Sequence, residues 1–190
     1  MAEQPPVPDS VTPQEFFEQL LPQGFAAQAA ESGTAPGDFT VQFRLSGEGG
    51  GEWNAAIANG AMQVRRGSAD SNLSVTISVA DWRDAVLGRN GANLAIILPQ
   101  NRPGRPDNSA RAKALKGTMA LELSRPELEP FRVEMAFNNA PAPKTTLRMT
   151  MADYVSMQEK PQNGQQLFMQ GRIKVEGDMG LLMQVAALNA

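Results

Sequence analysis

The chain has 190 residues, 42% hydrophobic and 19% charged, with a net charge of -3 and a pI near 5.1. That is enough for a globular core in one domain or two small ones, without the positive charge that nucleic acid binding draws on. It has no cysteine and no histidine, which removes disulfides, thiolate and imidazole metal sites, Cys nucleophiles and Ser-His-Asp triads. With 6% aromatic residues, little is available for base stacking, so composition predicts no nucleic acid partner and no cofactor.

Residues 1–11 are Pro-rich and polar and read as a disordered arm. They lack the basic and apolar regions of a signal peptide, and no run of 18 apolar residues follows, so the expected location is cytoplasmic. Thr12-Pro13-Gln14-Glu15 is a capping box with Pro at the first helical position, opening a helix with Phe16, Phe17, Leu20 and Leu21 on one stripe. Ser32 to Gly37 breaks it.

Phe39 to Ser46 alternates Phe39, Val41, Phe43 and Leu45 with polar residues, a strand. Trp53, Ala55 and Ile57 alternate next and end at Asn59-Gly60, a hairpin signal. The intervening GEGGGE (47–52) is glycine-rich, but a strand follows it rather than a helix, and Glu48 and Glu52 would repel an anion. It therefore reads as a hairpin loop, not a phosphate cradle. Ala61 to Arg66 is another short strand. Leu73 to Val79 alternates and runs into the capping box Ser78 to Asp81 and a helix through Leu87.

Residues 99–117 are loop-like and basic, with Arg102, Arg105, Arg111, Lys113 and Lys116 against Asp107 alone. Such runs are usually solvated connections. The functional alternative is a cationic lip on an anionic membrane surface, at about 1 kcal/mol per basic residue.

The second half then repeats the first in order and pattern. TMALELS (118–124) matches TVQFRLS (40–46), FRVEMAF (131–137) matches WNAAIAN (53–59), and LRMTMADY (147–154) matches VTISVADW (75–82). The offsets are 78, 78 and 72 residues, as in Thr118 less Thr40 and Thr150 less Ser78. This pattern predicts an internal duplication of a strand-strand-strand-helix unit. The expected organisation is an arm and helix at 1–37, a first unit at 38–91, a basic connection at 92–117 and a second unit at 118–190, together one domain. Asp81 and Asp153 fall at the ends of matching capping boxes, which explains them better than paired catalytic carboxylates do.

Phe168 to Val175 reads as a strand, Gly177-Asp178 as a turn, and Asp178 as the cap of a last helix. That helix carries Met179, Leu181, Leu182, Met183, Val185, Ala186, Ala187 and Leu188 all the way round. An all-apolar helix is expected to be covered on every side, by protein, a partner or a greasy ligand.

TLRMTMADY and NGQQLFMQGRIKVEGDMGLLMQVAAL make the chain resemble the sterol carrier protein family, the type-two lipid-transfer domain. FTVQFRLSGEGGGEWNAAIANG is similar to the family's first hairpin and SVTISVADW to its central strand and helix. The resemblance covers most of 38–91 and 144–188. It implies an α+β fold, a mostly antiparallel sheet packed against helices around an apolar tunnel. It also implies non-catalytic binding and transfer of a sterol, fatty acid, fatty acyl-CoA or phospholipid, so no enzyme. The tunnel role of the family's C-terminal helix would fall on Met179, Leu182, Met183 and Val185, with Trp82, Met157, Phe168 and Ile173 as further wall residues. Two departures stand out: an insertion between residues 92 and 143, and Glu159-Lys160-Pro161 where the family has Gly-Lys. Ten methionines suit an adaptable cavity. The competing expectation is an accessory protein that presents a hydrophobic intermediate to biosynthetic enzymes through its C-terminal helix.

Overall fold

Eight strands form one sheet in the order β3-β2-β1-β4-β6-β5-β7-β8. They are β1 Phe39–Ser46, β2 Gly51–Ala58, β3 Ala61–Arg66, β4 Leu73–Ser78, β5 Gly117–Arg125, β6 Leu128–Phe137, β7 Lys144–Thr150 and β8 Lys174–Gly177. The structure is a computed structural model that describes residues 7–32, 37–97, 108–160 and 163–188. Arg102, Arg105 and Asp107 of the basic connection lie outside the described residues, as do residues 33–36 of the predicted break.

The alternation read from the sequence sets the two faces of the sheet. Val41, Phe43, Leu45, Trp53, Leu73, Val75, Ile77, Leu121, Leu123, Phe131, Val133, Leu147 and Met149 are all buried on one face, and helices cover it. On the other face stand charged and polar residues joined across strands. Arg148 bonds Glu122 at 2.8 Å and also meets Glu176, Lys144 bonds Glu134 at 2.8 Å, and Arg44 meets Glu52 at 3.4 Å. One covered and one open face is the ordinary arrangement of a mostly antiparallel sheet.

Both predicted units pair their strands alike. β1 is antiparallel to β2 and parallel to β4, just as β5 is antiparallel to β6 and parallel to β7. The matching ends also coincide in register, Ser46 beside Ser78 and Ser124 beside Thr150. The antiparallel pairing of β4 with β6 joins the halves into one sheet. The first unit carries an extra strand, β3, after the tight turn at Asn59 and Gly60, whose φ values of 51° and 76° suit a two-residue hairpin loop.

The first helix, α1, runs as Pro13–Glu15, a π-helical turn Phe16–Leu20 and Leu21–Ser32. Thr12 caps it by accepting from the Glu15 amide at 3.1 Å. Phe17 stacks on Trp53 at 4.9 Å and lies 4.8 Å from Phe43, while Phe16 is edge-on to Trp82 at 5.7 Å. These rings fill the space between α1 and the first half of the sheet; such pairs contribute about 0.5–1.5 kcal/mol beyond area burial.

The remaining α-helices among the described residues are α2 Val79–Leu87, α3 Ser109–Ala114, α4 Met151–Glu159, α5 Asn163–Met169 and α6 Met179–Leu188. Ser78 and Thr150 cap α2 and α4 by accepting from the Asp81 and Asp153 amides at 3.0 and 3.1 Å. One expectation fails. Residues 168–173 are not strand: Phe168 and Met169 end α5, and β8 is only the four residues Lys174–Gly177. The apolar positions Leu167 and Ile173 seal the core from a helix and from a bend after it, so alternation over so short a span did not discriminate.

Candidate functional site

The α6 helix is fixed at both ends. The Asp178 carboxylate accepts from the Leu181 amide at 2.6 Å, the cap expected from sequence, and the Asp178 amide donates to the Lys144 carbonyl at 2.9 Å. At the other end, the Asn108 side-chain amide donates to the Leu188 carbonyl at 2.8 Å, tying α6 to the start of α3. Between these ties Leu181 and Val185, four residues apart, point into the core. Leu181 lies over Gly117, where a Cβ would come within 2.9 Å of the Leu181 Cδ2. Gly117 also has φ 128°, which L side chains rarely adopt.

The expectation that α6 would be covered all round is corrected. Only one line of it is covered, and Met179 and Met183 are 47% and 65% exposed. The physical reason is that Gly180, Ala186 and Ala187 make up much of the outer surface, so few large apolar groups meet water.

Alongside this exposed side, α3 and α6 bound an open groove of about 300 Å3. Arg111, Ala114 and Leu115 form one wall, and Gln184, Ala187 and Leu188 the other. The groove is mostly apolar, with the Arg111 guanidinium and the Gln184 amide as its polar groups. Neither wall carries a carboxylate.

A second hollow, of about 310 Å3, is lined by Thr40, Asp70, Ser71, Asn72, Asn138 and Asn139. Its side chains bond one another and their neighbours: Asn72 accepts from the Thr40 hydroxyl at 3.0 Å, and Asn139 accepts from Ser74 at 2.9 Å. That lining offers an apolar chain nothing to pack against.

Of the residues expected to line a site, Met179, Leu182, Met183 and Val185 are together on α6. Val185 is buried and Leu182 half-buried against the core. Ile173 is buried, Met157 on α4 half-buried, and Phe168 on α5 half exposed at 50%. Trp82 sits among the rings of α1 in the first half of the sheet, wholly buried, and its indole N–H has no partner among the described residues. None of these eight residues lines the groove; its walls come from α3 and from the 184/187/188 side of α6. The run of basic residues in α3 was the sequence signal for one wall, but its nearness to α6 was not legible.

The carboxylates read as ending the capping boxes, Asp81 and Asp153, have further partners, and Asp84 shares one of them. Asp81 accepts from Arg125 at 3.0 Å and from the Arg132 amide at 3.2 Å, Asp84 accepts from Arg125 at 2.6 Å, and Asp153 pairs with Arg172. A register shift between Leu123 and Arg125 accompanies the turn of Arg125 toward α2. Among the described residues no cluster of His, Cys, Asp or Glu could hold a metal ion, and no helix is long and apolar enough to cross a membrane. The carboxyl of Glu122 is held below the ordinary range through its hydrogen bond from Arg148, and it stands on the open sheet face.

Residues 98–189 match the SCP-2 sterol transfer family. The matched segment takes in α3, the β5–β6 hairpin and everything after it; residues 38–91 precede it. The hairpin read from the sequence as an insertion lies within the matched segment. A search among curated proteins returned no match.

Proposed function

From the membership of this chain's second half, residues 98–189, in the SCP-2 sterol transfer family, we propose that the protein binds and transfers a lipid without chemical change. The α3–α6 groove is the seat of its apolar chain. The observation that carries this reading is an apolar groove lying against an incompletely covered C-terminal helix. At about 300 Å3 the groove is at the lower end of the roughly 300–1,000 Å3 typical of ligand sites. A single acyl chain therefore suits it better than a bulky ring system, with an acidic headgroup toward Arg111. The half-buried Leu182 and Met157, and the buried Ile173 and Val185, stand behind α6 as residues that a longer ligand would meet on entering. Met adapts to irregular shapes at little cost. In this reading the two similarly paired halves are a repeated unit, of which the second carries the ligand.

Native mass spectrometry of freshly purified protein, followed by extraction of any bound lipid, tests the proposal. A discrete added mass is expected. It should vanish in Ala187→Trp, which fills the groove, and persist in Ala26→Trp on the exposed side of α1. An unliganded mass, with no thermal stabilisation by fatty acids or acyl-CoA, would sink it, since a ligand that binds only the folded state must stabilise it.

The exposed Met179 and Met183 favour a second reading, an accessory protein that offers a hydrophobic intermediate to an enzyme. It requires a protein partner that survives gentle purification and is released by Leu182→Asp.

A further inference from the structure

The strand order sets β1, β4 and β6 side by side, so that the starts of β1 and β4 meet the end of β6. The polar hollow of about 310 Å3 lies there, between Thr40, Asp70, Ser71 and Asn72 on one side and Asn138 and Asn139 on the other. Its walls are tied together. The Asn138 amide donates to the Asn72 carbonyl at 2.8 Å, and the Asn138 side chain donates to the carbonyls of Lys113 and Leu115 at 2.8 and 2.6 Å. The Asn72 side-chain oxygen accepts from the Thr40 amide and hydroxyl, both at 3.0 Å. That of Asn139 accepts at 2.9 Å from the Ser74 hydroxyl, which itself accepts from Arg44 at 2.8 Å. These bonds decide which ends of the three amides are left over. Asn72 and Asn139 keep an NH2 group to donate, and Asn138 keeps its oxygen to accept. Among the described residues nothing donates to the Asp70 carboxylate.

We propose that this hollow binds a neutral, hydroxyl-rich group, a sugar or polyol, with Asp70 and Asn138 accepting from its hydroxyls and Asn72 and Asn139 donating to them. A hydroxyl both gives and accepts a hydrogen bond, so a mixed set of donors and acceptors suits it. The same set turns other ligands away. The two NH2 groups oppose a hard metal cation, which takes oxygen ligands. The Asp70 charge and the Asn138 oxygen oppose a phosphate, and no apolar side chain lines the hollow. Thr40, Asp70, Ser71 and Asn72 precede the segment that matches the SCP-2 family, and only Asn138 and Asn139 lie within it. The inference therefore goes beyond the lipid-binding reading and does not depend on it. The hydroxyls belong either to a free sugar or polyol or to the sugar headgroup of a lipid. The second source has a structural basis, because Leu115, whose carbonyl Asn138 holds, is also a wall of the apolar groove.

The test is saturation-transfer NMR on the full chain, in EDTA, with glucose, myo-inositol, glycerol and, below its micelle concentration, octyl glucoside. Transfer to at least one of them is expected, with a Kd on the order of 1 mM, the range that a few exposed hydrogen bonds supply. Asp70→Ala should weaken binding about tenfold, because a hydrogen bond to a charged group is lost. Asp70→Asn should weaken it less, since the amide oxygen still accepts. Asn139→Gly, which accommodates the φ of 52° at that position, should also weaken it. Asp70 has no partner to lose, so Asp70→Ala should unfold at the same temperature as the unmodified chain and decides the matter alone if Asn139→Gly is unstable. Tighter binding of octyl glucoside than of glucose, with the excess removed by Ala187→Trp, assigns the hydroxyls to a lipid headgroup. Equal binding assigns them to a free sugar or polyol. No transfer to any of the four, or transfer indifferent to both Asp70 variants, overturns the proposal. Calcium binding in a titration without EDTA, lost in Asp70→Asn and unaccompanied by sugar binding, overturns it in favour of a cation site.

Discussion

Arg125 and Asp81 are 44 residues apart in sequence and 3.0 Å apart in space, with side chains only 7% and 10% exposed. The guanidinium also reaches Asp84 at 2.6 Å and donates to the Glu129 carbonyl at 2.7 Å. The hairpin of the second half is thereby fastened to the first two turns of α2 in the first half. Removing one partner of a buried ion pair strands the other. Arg125→Ala is therefore expected to cost about 3–5 kcal/mol in urea unfolding. Arg125→Lys should recover only part of that, since a single ammonium cannot serve two carboxylates and a carbonyl in the fork geometry. A cost below about 1 kcal/mol, the worth of an exposed pair, would mean that the cluster contributes no more than a surface bridge.

The seating of α6 rests on Gly117. A Cβ there would meet the Pro143 carbonyl at 2.5 Å and the Leu181 Cδ2 at 2.9 Å, at a φ of 128°. Gly117→Ala is expected to destabilise the fold by more than the roughly 1 kcal/mol of an ordinary mutation. Hydrogen exchange in α6 should rise before that of α1, whose packing is remote. Uniform exchange across both helices would show that α6 does not open separately.

The two sides of α6 should respond oppositely to truncation. Leu181→Ala removes a side chain that is 1% exposed and should cost about 2–5 kcal/mol. Met183→Ser, at a position 65% exposed, should change stability by no more than about 0.5 kcal/mol. Equal losses in thermal denaturation would mean that Met183 is covered in solution, for example by a second copy.

Asp178 caps α6 with a 2.6 Å bond to the Leu181 amide. Asp178→Ala should lower stability by about 1 kcal/mol, and Asp178→Asn by less, because the amide oxygen still accepts. If the Ala and Asn variants unfold alike, the charge rather than the acceptor matters, and the dependence should then weaken with salt.

Glu122 sets a pH dependence. The hydrogen bond from Arg148 at 2.8 Å holds its carboxyl below the ordinary glutamate range in the folded state. A carboxyl depressed on folding contributes stability that is fully present above its unfolded pKa and is lost as pH falls through the folded value. Stability should therefore decline with acidification below the ordinary glutamate range, and Glu122→Gln should flatten that part of the profile. Unfolding profiles of the two proteins that stay parallel down to low pH would show that the pair is too screened to matter.

Much of this architecture was legible because local chemistry fixed it. Period-two runs such as Phe39 to Ser46 could bury one face only as strands, and Thr12, Ser78, Thr150 and Asp178 announced their helices through caps that need no distant partner. Misreading Phe168 to Ile173 as strand had the same root. Six residues with apolar groups only at their two ends fit a helix end and a bend equally well. The groove was not legible, since one wall is α3 and the other α6, and no local signal relates Arg111 to Ala187.

The sequence by itself determined the strands and most of the helices, the two faces of the sheet, the repeated order of the halves and the apolar character of α6. Each follows from hydrophobic spacing and capping over a few residues. Tertiary structure alone decided which side of α6 stays exposed, what lies across the groove from it, and that Arg125 closes on Asp81. Those outcomes depend on the order of strands in the sheet. The order joins the halves through β4 and β6, sets β5, which follows α3, one strand away from β8, which precedes α6, and so brings together residues that sequence distance keeps apart.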